Sequence, residues 1–345
     1  MTLMKRTDEV LRIAKLRKRL KTKDIIEAFG VSRQYAVILV NDLVTNGKLV
    51  KVGSTNKAYY LLPEFAREGG AFPEKIGKRL KNFELQEHEV YADIQNQYPP
   101  VKQLPENVRS ILNYAFSEML NNAIEHSKSK YIEIEVSVRN RKLHFVVNDF
   151  GIGVFRNVMR QKKLKSEVEA MQDLLKGKTT TMPKSHSGQG IFFTSKAADV
   201  FTLESYGYDL IINNKTHEVS YKTLPALKKG TRVKFSIDMN STRHLSAIFR
   251  KFSVGTEFAF NKTEIKVKLY GSGDGVHISR SQARRILEGL DKFESIIMDF
   301  DKVSTIGQAF ADEVFRVFKE KHPHIEIQPV NMDEAVRFMV ERVGK

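Results

Sequence analysis

The chain contains no cysteine and no long apolar segment. The missing cysteines exclude disulfide bonds and thiolate metal sites, and they favour a reducing compartment. No stretch approaches the roughly 18 apolar residues of a membrane-spanning helix, and the opening residues, MTLMKRTDEV, lack the apolar core of a signal peptide. The sequence therefore predicts a soluble cytoplasmic protein with no membrane partner.

Positive charge, by contrast, is abundant. The 345 residues include 57 Lys and Arg against 41 Asp and Glu, a formal net charge of +16. Such an excess favours a polyanionic partner, most simply nucleic acid. The length predicts two or three domains of ordinary size, and a hydrophobic content of 41% is enough for packed cores.

Residues 1–62 predict three helices followed by a hairpin. The second helix follows Thr22 and ends at Gly30, and Ser32 caps the third, RQYAVILVNDLVTNG. KLVKVGSTNKAYYLL then predicts two strands about a GSTN turn. The block holds 13 Lys and Arg against 5 Asp and Glu, half of the chain's net positive charge. This order of elements resembles a winged helix-turn-helix domain.

The resemblance implies binding to double-stranded DNA. Arg33, Gln34 and Tyr35 stand at the start of the recognition helix, where side chains reach base edges in the major groove. Lys51 and Lys57 belong to the wing and are candidate phosphate contacts, which fix register rather than sequence. The alternative is a winged helix used for protein docking, with its basic residues as a solvated face.

A linker is predicted over residues 63–79. Its first part, PEFAREGGAFPEK, mixes proline, glycine and charge. Flexibility there would let the N-terminal block reorient relative to the domain that follows.

The centre of the chain begins with a predicted helix around SEMLNNAIEHS. Leu112, Met119 and Ala123 recur at helical spacing and predict a buried stripe. Glu118 and Asn122 are one turn apart, so their polar ends align on a neighbouring face.

Two strands and two glycine motifs follow. Asp149 stands at the end of the second strand, before Gly151 and Gly153, and Gly188 and Gly190 precede the helix IFFTSKAADVF. An acid in that place can accept a hydrogen bond from an exocyclic amine, and glycines let the backbone approach a ligand closely. A helix N-terminus behind the second glycine pair favours phosphate. Together these features suit a nucleotide.

Three motifs in this order resemble the N, G1 and G2 boxes of the GHKL ATPase superfamily: Glu118-x-x-x-Asn122, Asp149-x-Gly151-x-Gly153 and Gly188-x-Gly190. That group covers gyrase, Hsp-type chaperones, histidine kinases, mismatch-repair ATPases and anti-sigma serine kinases. Thr231, in the Gly-Thr pair before the strand RVKFSI, resembles the residue that closes the adenine pocket. The resemblance covers residues 80–240 and implies an α/β-sandwich (Bergerat) domain that binds ATP and Mg²⁺.

The resemblance also implies a role for each residue. Asn122 holds Mg²⁺, for which an amide oxygen is a suitable hard ligand. Glu118 is either the general base for an attacking water or a residue that orders a Mg²⁺-bound water in a phosphoryl transfer to protein. Asp149 accepts from the adenine amino group, and Gly151 and Gly153 begin a mobile lid that extends to residue 187.

The remaining implied contacts are with phosphate. Gly188 and Gly190 offer backbone N–H groups to the phosphates. Within the lid, Lys176, Lys178 and Lys184 are either phosphate contacts or simply solvated.

Residues 256–345 alternate strands and helices and predict a small α/β domain. The phrase SIIMDFDKVSTIGQAF resembles STAS domains, the anti-sigma-antagonist fold. In that family a partner kinase phosphorylates a Ser or Thr at the start of the helix, where this chain has Gly307-Gln308-Ala309. Phosphotransfer within the chain is therefore disfavoured, and a docking or signalling role is favoured.

The complete prediction is an α+β multidomain protein: a winged helix, an α/β-sandwich GHKL domain and a small α/β STAS-like domain. The preferred function is an ATP-dependent, DNA-binding transcriptional regulator, in which the enzymatic activity is either ATP hydrolysis or protein phosphorylation. The alternative is an anti-sigma-type serine kinase acting on a separate STAS-domain or sigma-factor-related partner. Histidine kinase activity is a third, less favoured alternative. A fourth is an ATPase serving mobile-element defence or chromosome upkeep, which composition does not separate from regulation. A homodimer is the default expectation.

Overall fold

The computed structural model describes residues 3–46, 48–53, 58–68, 75–178, 188–254, 260–270, 276–277 and 279–343. The chain forms two compact units, each built from two parts of the sequence. The first unit comprises Met1–Val154 and Ala197–Arg243, and the second comprises Phe155–Lys196 and His244–Lys345. Among the described residues, no helix has the length and apolar character needed to cross a membrane.

The first unit begins with three helices and a hairpin, as the sequence predicts. The elements are α1 (Leu3–Arg17), α2 (Thr22–Phe29), α3 (Arg33–Thr45), β1 (Val50–Val52) and β2 (Tyr59–Leu61). The two strands are antiparallel, and Leu20 adds a bridge to Tyr60 through backbone hydrogen bonds of 2.8 and 2.7 Å. Apolar side chains from all three helices and the hairpin share one core.

Local sequence signals set the ends of these helices. The Ser32 hydroxyl accepts a hydrogen bond from the Tyr35 N–H at 3.3 Å, which confirms the predicted cap of α3. Gly30 ends α2 with a φ of 62°, in the left-handed region that glycine adopts without strain. Lys21 is the N-cap of α2, and its N–H donates to the Asp24 carboxylate at 2.6 Å.

The structure differs from the sequence over the predicted linker, residues 63–79. A helix, α4, covers Pro63–Glu68, and a strand, β3, covers Lys75–Lys81. Among the described strands, β3 pairs with β4 alone and lies at the edge of the sheet, and its residues KIGKRLK are mostly exposed or half-buried. Basic residues occupy four of the seven positions of this edge strand, so it lacks the apolar alternation that predicts a strand. Its composition therefore resembles that of a linker.

A seven-stranded antiparallel sheet forms the body of the first unit. After β3 its strands are β4 (Tyr131–Arg139), β5 (Lys142–Asp149), β6 (Val200–Ser205), β7 (Tyr208–Asn213), β8 (Glu218–Thr223) and β9 (Thr231–Asp238). The spatial order is β3-β4-β5-β9-β6-β7-β8, so β9 inserts between β5 and β6. Helices α5 (Glu87–Gln97) and α6 (Glu106–His126) pack together, and α6 also contacts β5 and β9.

The predicted stripe on α6 is buried against this sheet. The buried residues of the helix include Leu112, Ala115, Phe116, Met119 and Ala123. The ring of Phe116 meets Phe145 edge to face at 5.6 Å, and Phe145 stacks on Phe235 at 4.7 Å. Aromatic contacts of this kind add to the stabilisation from apolar burial. They fix α6, and therefore its polar face, to the centre of the sheet.

The second unit contains helices from the middle of the chain together with its C-terminal part. The helices are α7 (Val154–Gln161), α8 (Glu167–Lys176), α9 (Gly190–Ala197), α10 (Leu245–Lys251), α11 (Arg280–Leu287), α12 (Gln308–Ala311), α13 (Phe318–Lys321) and α14 (Glu334–Val343). A 3-10 turn covers Val267–Tyr270, and a π-helical segment, Asp312–Val317, joins α12 to α13.

Parallel strands form the C-terminal sheet of this unit. Strand β12 (Ser295–Asp299) lies between β10 (Lys262–Lys266) and β14 (Glu326–Val330), and both pairings are parallel. A second parallel pair joins β11 (Val276–His277) to β13 (Thr305–Ile306). Parallel strands connected by helices confirm the prediction of a small α/β domain in this part of the chain.

The two units group the chain differently from the domains predicted at 80–240 and 256–345. Residues Phe155–Lys196, which the sequence assigned to the ATPase region, lie in the second unit. Side chains of this segment, such as Gln172 and Lys176, contact residues about a hundred positions later in the chain. No local sequence pattern reveals such contacts.

Candidate functional site

The middle of α6 carries Glu118 and Asn122, both half-buried and both outside the apolar stripe. The side-chain nitrogen of Asn122 is inaccessible to solvent and has no hydrogen-bond partner among the described residues. Burial and the nearby Glu118 carboxylate together raise the pKa of the Tyr114 phenol. This face of the helix therefore holds a negative charge and an amide whose hydrogen-bonding capacity the protein does not fully use.

Asp149, the last residue of β5, is only 4% exposed. Its carboxylate accepts a hydrogen bond from the Gly151 N–H at 2.8 Å, and Thr231 donates to it from both its backbone and its hydroxyl. Burial raises the pKa of Asp149, and these hydrogen bonds oppose that rise. The Lys228 ammonium donates to the backbone carbonyl of Asp149 at 2.6 Å.

Thr231 connects Asp149 to Val154, where helix α7 begins. While its hydroxyl donates to the Asp149 carboxylate, the same oxygen accepts a hydrogen bond from the Val154 N–H at 2.9 Å. Val154 is the first residue of α7. The Thr231 hydroxyl therefore links the Asp149 carboxylate to the first residue of α7.

Two glycines let three backbone segments meet at this point. A Cβ on Gly151 would lie 1.7 Å from the carbonyl oxygen of Ser127, which is the C-cap of α6. A Cβ on Gly230 would lie 2.4 Å from the Asp149 carbonyl oxygen, and Gly230 has a φ of 80°. Only a hydrogen atom fits in either place, so the close approach of α6, the G1 turn and the start of β9 requires glycine.

The second glycine pair belongs to the other unit. Gly188 has a φ of 70°, and Gly190 is the first residue of α9. In the first unit the structure brings Asp149, Gly151 and Thr231 together. Gly153, with a φ of 79°, follows in the same turn, where a Cβ would clash with the ring of Tyr206.

Sequence reasoning missed several residues that hold the G1 turn. The Ser129 hydroxyl accepts from the Phe150 N–H at 3.0 Å, and the Tyr206 hydroxyl donates to the Gly151 carbonyl at 2.9 Å. The Ser127 carbonyl accepts from the Ile152 N–H at 2.8 Å, and Lys228 contributes the ammonium contact described above. These groups bind backbone atoms, and no motif marks them. Only the position of Ser127, directly after the N-box helix, was a usable signal.

Two lid lysines have partners in the C-terminal part of the chain. The Lys176 ammonium donates to the carbonyls of Arg285 at 3.1 Å and Glu288 at 2.9 Å. The Lys178 ammonium donates to the carbonyl of Lys292 at 2.6 Å. Lys176 is therefore buried rather than solvated, whereas Lys178 stays partly exposed. Lys184 lies outside the described residues.

The candidate DNA contacts lie on α3 and on the hairpin. Arg33 and Gln34 are exposed at the N-terminus of α3, and Tyr35 is half-buried with the Arg6 guanidinium 5.4 Å from its ring centre. Lys51 is exposed on β1, beside a small gap that residues of β3 also line. Lys57 lies outside the described residues.

A long helix with a polar face, packed on an antiparallel sheet beside a buried carboxylate in a glycine turn, is the arrangement of a GHKL-type domain. Residues 91–221 match the family model described as a histidine kinase-like ATPase domain. Residues 282–337 match the model of a STAS-like domain of unknown function. The chain thus contains a histidine kinase-like ATPase domain and a STAS-like domain. No curated protein matches the chain.

Proposed function

We propose that this protein is an ATP-binding, DNA-binding transcriptional regulator, in which the state of the nucleotide site controls the N-terminal block. The observation that carries the proposal is the Asp149 carboxylate, buried at the end of β5 and linked through the Thr231 hydroxyl to the start of α7. Such a carboxylate is suited to an adenine amino group, and its link to α7 offers a route from ligand binding to conformation.

The nucleotide half of the proposal assigns roles to the three motifs. Asp149 accepts a hydrogen bond from the adenine amino group, which selects ATP over GTP. Asn122 would hold Mg²⁺ through its side-chain amide oxygen, which is a suitable hard ligand. When bound, Mg²⁺ neutralises charge on the phosphates. Glu118 orients and deprotonates the attacking water, and the N–H groups at Gly188 and Gly190 contact phosphate.

The DNA half rests on the N-terminal block. Three helices and a hairpin with a net charge of +8 (13 basic minus 5 acidic residues) fit a winged helix-turn-helix. Arg33, Gln34 and Tyr35 read bases, while Lys51 and Lys57 contact phosphates. ATP switches DNA binding only if it binds the DNA-competent and DNA-incompetent forms with different affinity.

The DNA half is tested by selecting a preferred duplex from a random library and measuring its affinity for the wild type and for Arg33→Ala/Gln34→Ala. Each lost base contact costs about 1–3 kcal/mol, so the double variant should bind at least tenfold more weakly and discriminate less between sequences. Lys23→Ala changes an exposed residue of α2 that pairs with Glu27; it is the charge control and should retain the sequence preference. Equal preference in the wild type and the double variant would refute the assignment of α3.

A second function is an anti-sigma-type serine kinase, which the STAS-like match favours. The segment that corresponds to the phosphoacceptor has Gly307 as the N-cap of α12, followed by Gln308 and Ala309, and none of the three carries a hydroxyl. In this alternative, the phosphoryl group therefore goes to a hydroxyl on a separate STAS-domain chain.

A further inference from the structure

The described part of the predicted lid, residues 154–178, ends in a helix that is bonded to the C-terminal sheet. The Gln172 side chain donates to the carbonyl of Leu269 at 2.6 Å, and the Tyr270 hydroxyl donates to the Gln172 carbonyl at 3.1 Å. The Thr263 hydroxyl, on β10, donates to the Lys176 carbonyl at 2.6 Å. Thr263 and Tyr270 are fully or almost fully buried, so these bonds form in the interior of the second unit.

Lys176 fixes the same helix to α11. It is 5% exposed, and its ammonium donates to the carbonyls of Arg285 and Glu288 at the C-terminal end of α11. A helix C-terminus is electronegative and has carbonyls without helical partners, so a cation there is stabilised. Burial lowers the pKa of Lys176 to about 8. A buried charge is costly unless it is paired, which makes this a specific contact rather than a chance one.

Helix α9, which follows the second glycine pair, is held in the same unit by aromatic rings. Phe192 lies 4.7 Å from Phe260, and Phe193 stacks on Phe249 at 4.1 Å. The Lys196 ammonium lies 3.5 Å from the carboxylate of Glu264 on β10. Helices α8 and α9 are thus both packed on later residues of the second unit.

We propose that the STAS-like domain is the intramolecular partner of the nucleotide lid, and that occupancy of the ATP site changes the conformational stability of the STAS-like domain through α8. The inference rests on the proposed binding of ATP. The coupling route is continuous in the chain: Asp149 bonds Thr231, Thr231 bonds Val154, and Val154 opens the segment that ends at Lys176. The C-terminal domain therefore registers the nucleotide state.

Any other partner of the C-terminal domain that binds where α8 binds competes with α8. The face formed by β10, the 267–270 turn and the end of α11 is already occupied by α8 of the same chain. An intramolecular partner acts at an effective concentration near millimolar. A lid from another molecule, or a separate STAS-domain chain, must either displace α8 from this face or bind elsewhere.

Hydrogen exchange of the full-length protein tests the proposal. Peptides covering residues 262–270 and 280–288 are followed without nucleotide, with ADP, and with the non-hydrolysable analogue of ATP plus Mg²⁺. Coupling between sites is typically worth five- to 150-fold, so exchange in these peptides should change at least about fivefold on addition of the ATP analogue. Binding of the analogue is measured separately on the same samples.

Two variants disrupt the contact in different ways. Gln172→Leu/Thr263→Val removes two neutral hydrogen bonds, and Lys176→Met removes the buried cation while keeping most of its volume. Both should still bind the ATP analogue, with an affinity shifted by no more than the coupling factor because coupling between sites is reciprocal, but lose the nucleotide-dependent change at residues 262–270 and 280–288. The control, Lys163→Ala, alters an exposed residue of the same segment and should retain the change.

The outcomes separate this inference from the proposed function. If the wild type binds the analogue while exchange of the C-terminal peptides stays the same, the coupling is refuted and ATP binding stands. If the variants keep the nucleotide-dependent change, α8 is not its route and the inference is wrong. If the wild type binds no nucleotide, the proposed function fails together with the inference that rests on it.

Discussion

Asp149→Asn is expected to weaken ATP binding by about 100-fold. The buried carboxylate is assigned the adenine amino group, and a hydrogen bond to a charged acceptor is worth about 1.5–3 kcal/mol. An amide in its place also turns an NH₂ group toward the donors of Gly151 and Thr231 or toward the adenine amine, which leaves donors facing donors. A total of about 3 kcal/mol corresponds to the 100-fold loss. Calorimetric titration with ATP measures it.

The matched control is Glu135→Gln, which removes a carboxylate of β4 that pairs with Lys75 at the surface. This variant should bind ATP like the wild type. The Asp149 variant should also lose discrimination between ATP and GTP, because the carboxylate is the group proposed to select adenine. Unchanged ATP affinity in Asp149→Asn would show that the Asp149 carboxylate does not bind the adenine base.

Glu118→Gln is expected to lower the rate of ATP turnover by about 10²–10⁴, the usual contribution of a general base. The amide keeps the size of the side chain but cannot take a proton, so ATP affinity should stay close to that of the wild type. The reaction is followed with γ-labelled ATP and Mg²⁺, recording free phosphate and protein-bound label together. Free phosphate identifies a hydrolase, and stable label on protein identifies a kinase.

Two further variants define this experiment. Asn122→Ala should lose Mg²⁺-dependent ATP binding as well as turnover, because Asn122 is the proposed Mg²⁺ ligand. Glu125→Gln, which changes an exposed residue of the same helix, should leave both unchanged. Wild-type turnover in Glu118→Gln would show that this carboxylate orders the site without acting as a base.

Local patterns were enough to predict the helix and turns around the site. The stripe of Leu112, Met119 and Ala123 repeats with the period of a helix and is buried in the structure. The glycines at 151 and 230 mark places where backbones meet at distances that exclude a Cβ. Both are properties of a few neighbouring residues, which is why sequence alone reveals them.

Long-range contacts were not predictable in the same way. Lys176 was expected to reach phosphates or solvent, whereas its partners are carbonyls more than a hundred residues later. A lysine has the same appearance in a sequence whether it is solvated or buried, and only the packing of α8 on the C-terminal sheet decides between them. The edge strand Lys75–Lys81 was missed for a related reason, since its pairing with β4 compensates for weak apolar alternation.

The central claim is that nucleotide state controls DNA binding, and one measurement tests it directly. The affinity of the full-length protein for its selected duplex is determined at a single salt concentration without nucleotide, with ADP, and with the non-hydrolysable ATP analogue plus Mg²⁺. The account predicts at least about a fivefold difference between the ATP-analogue state and the nucleotide-free state, and its loss in Asp149→Asn. Identical DNA affinity in all three states, in protein that binds the analogue, would contradict it.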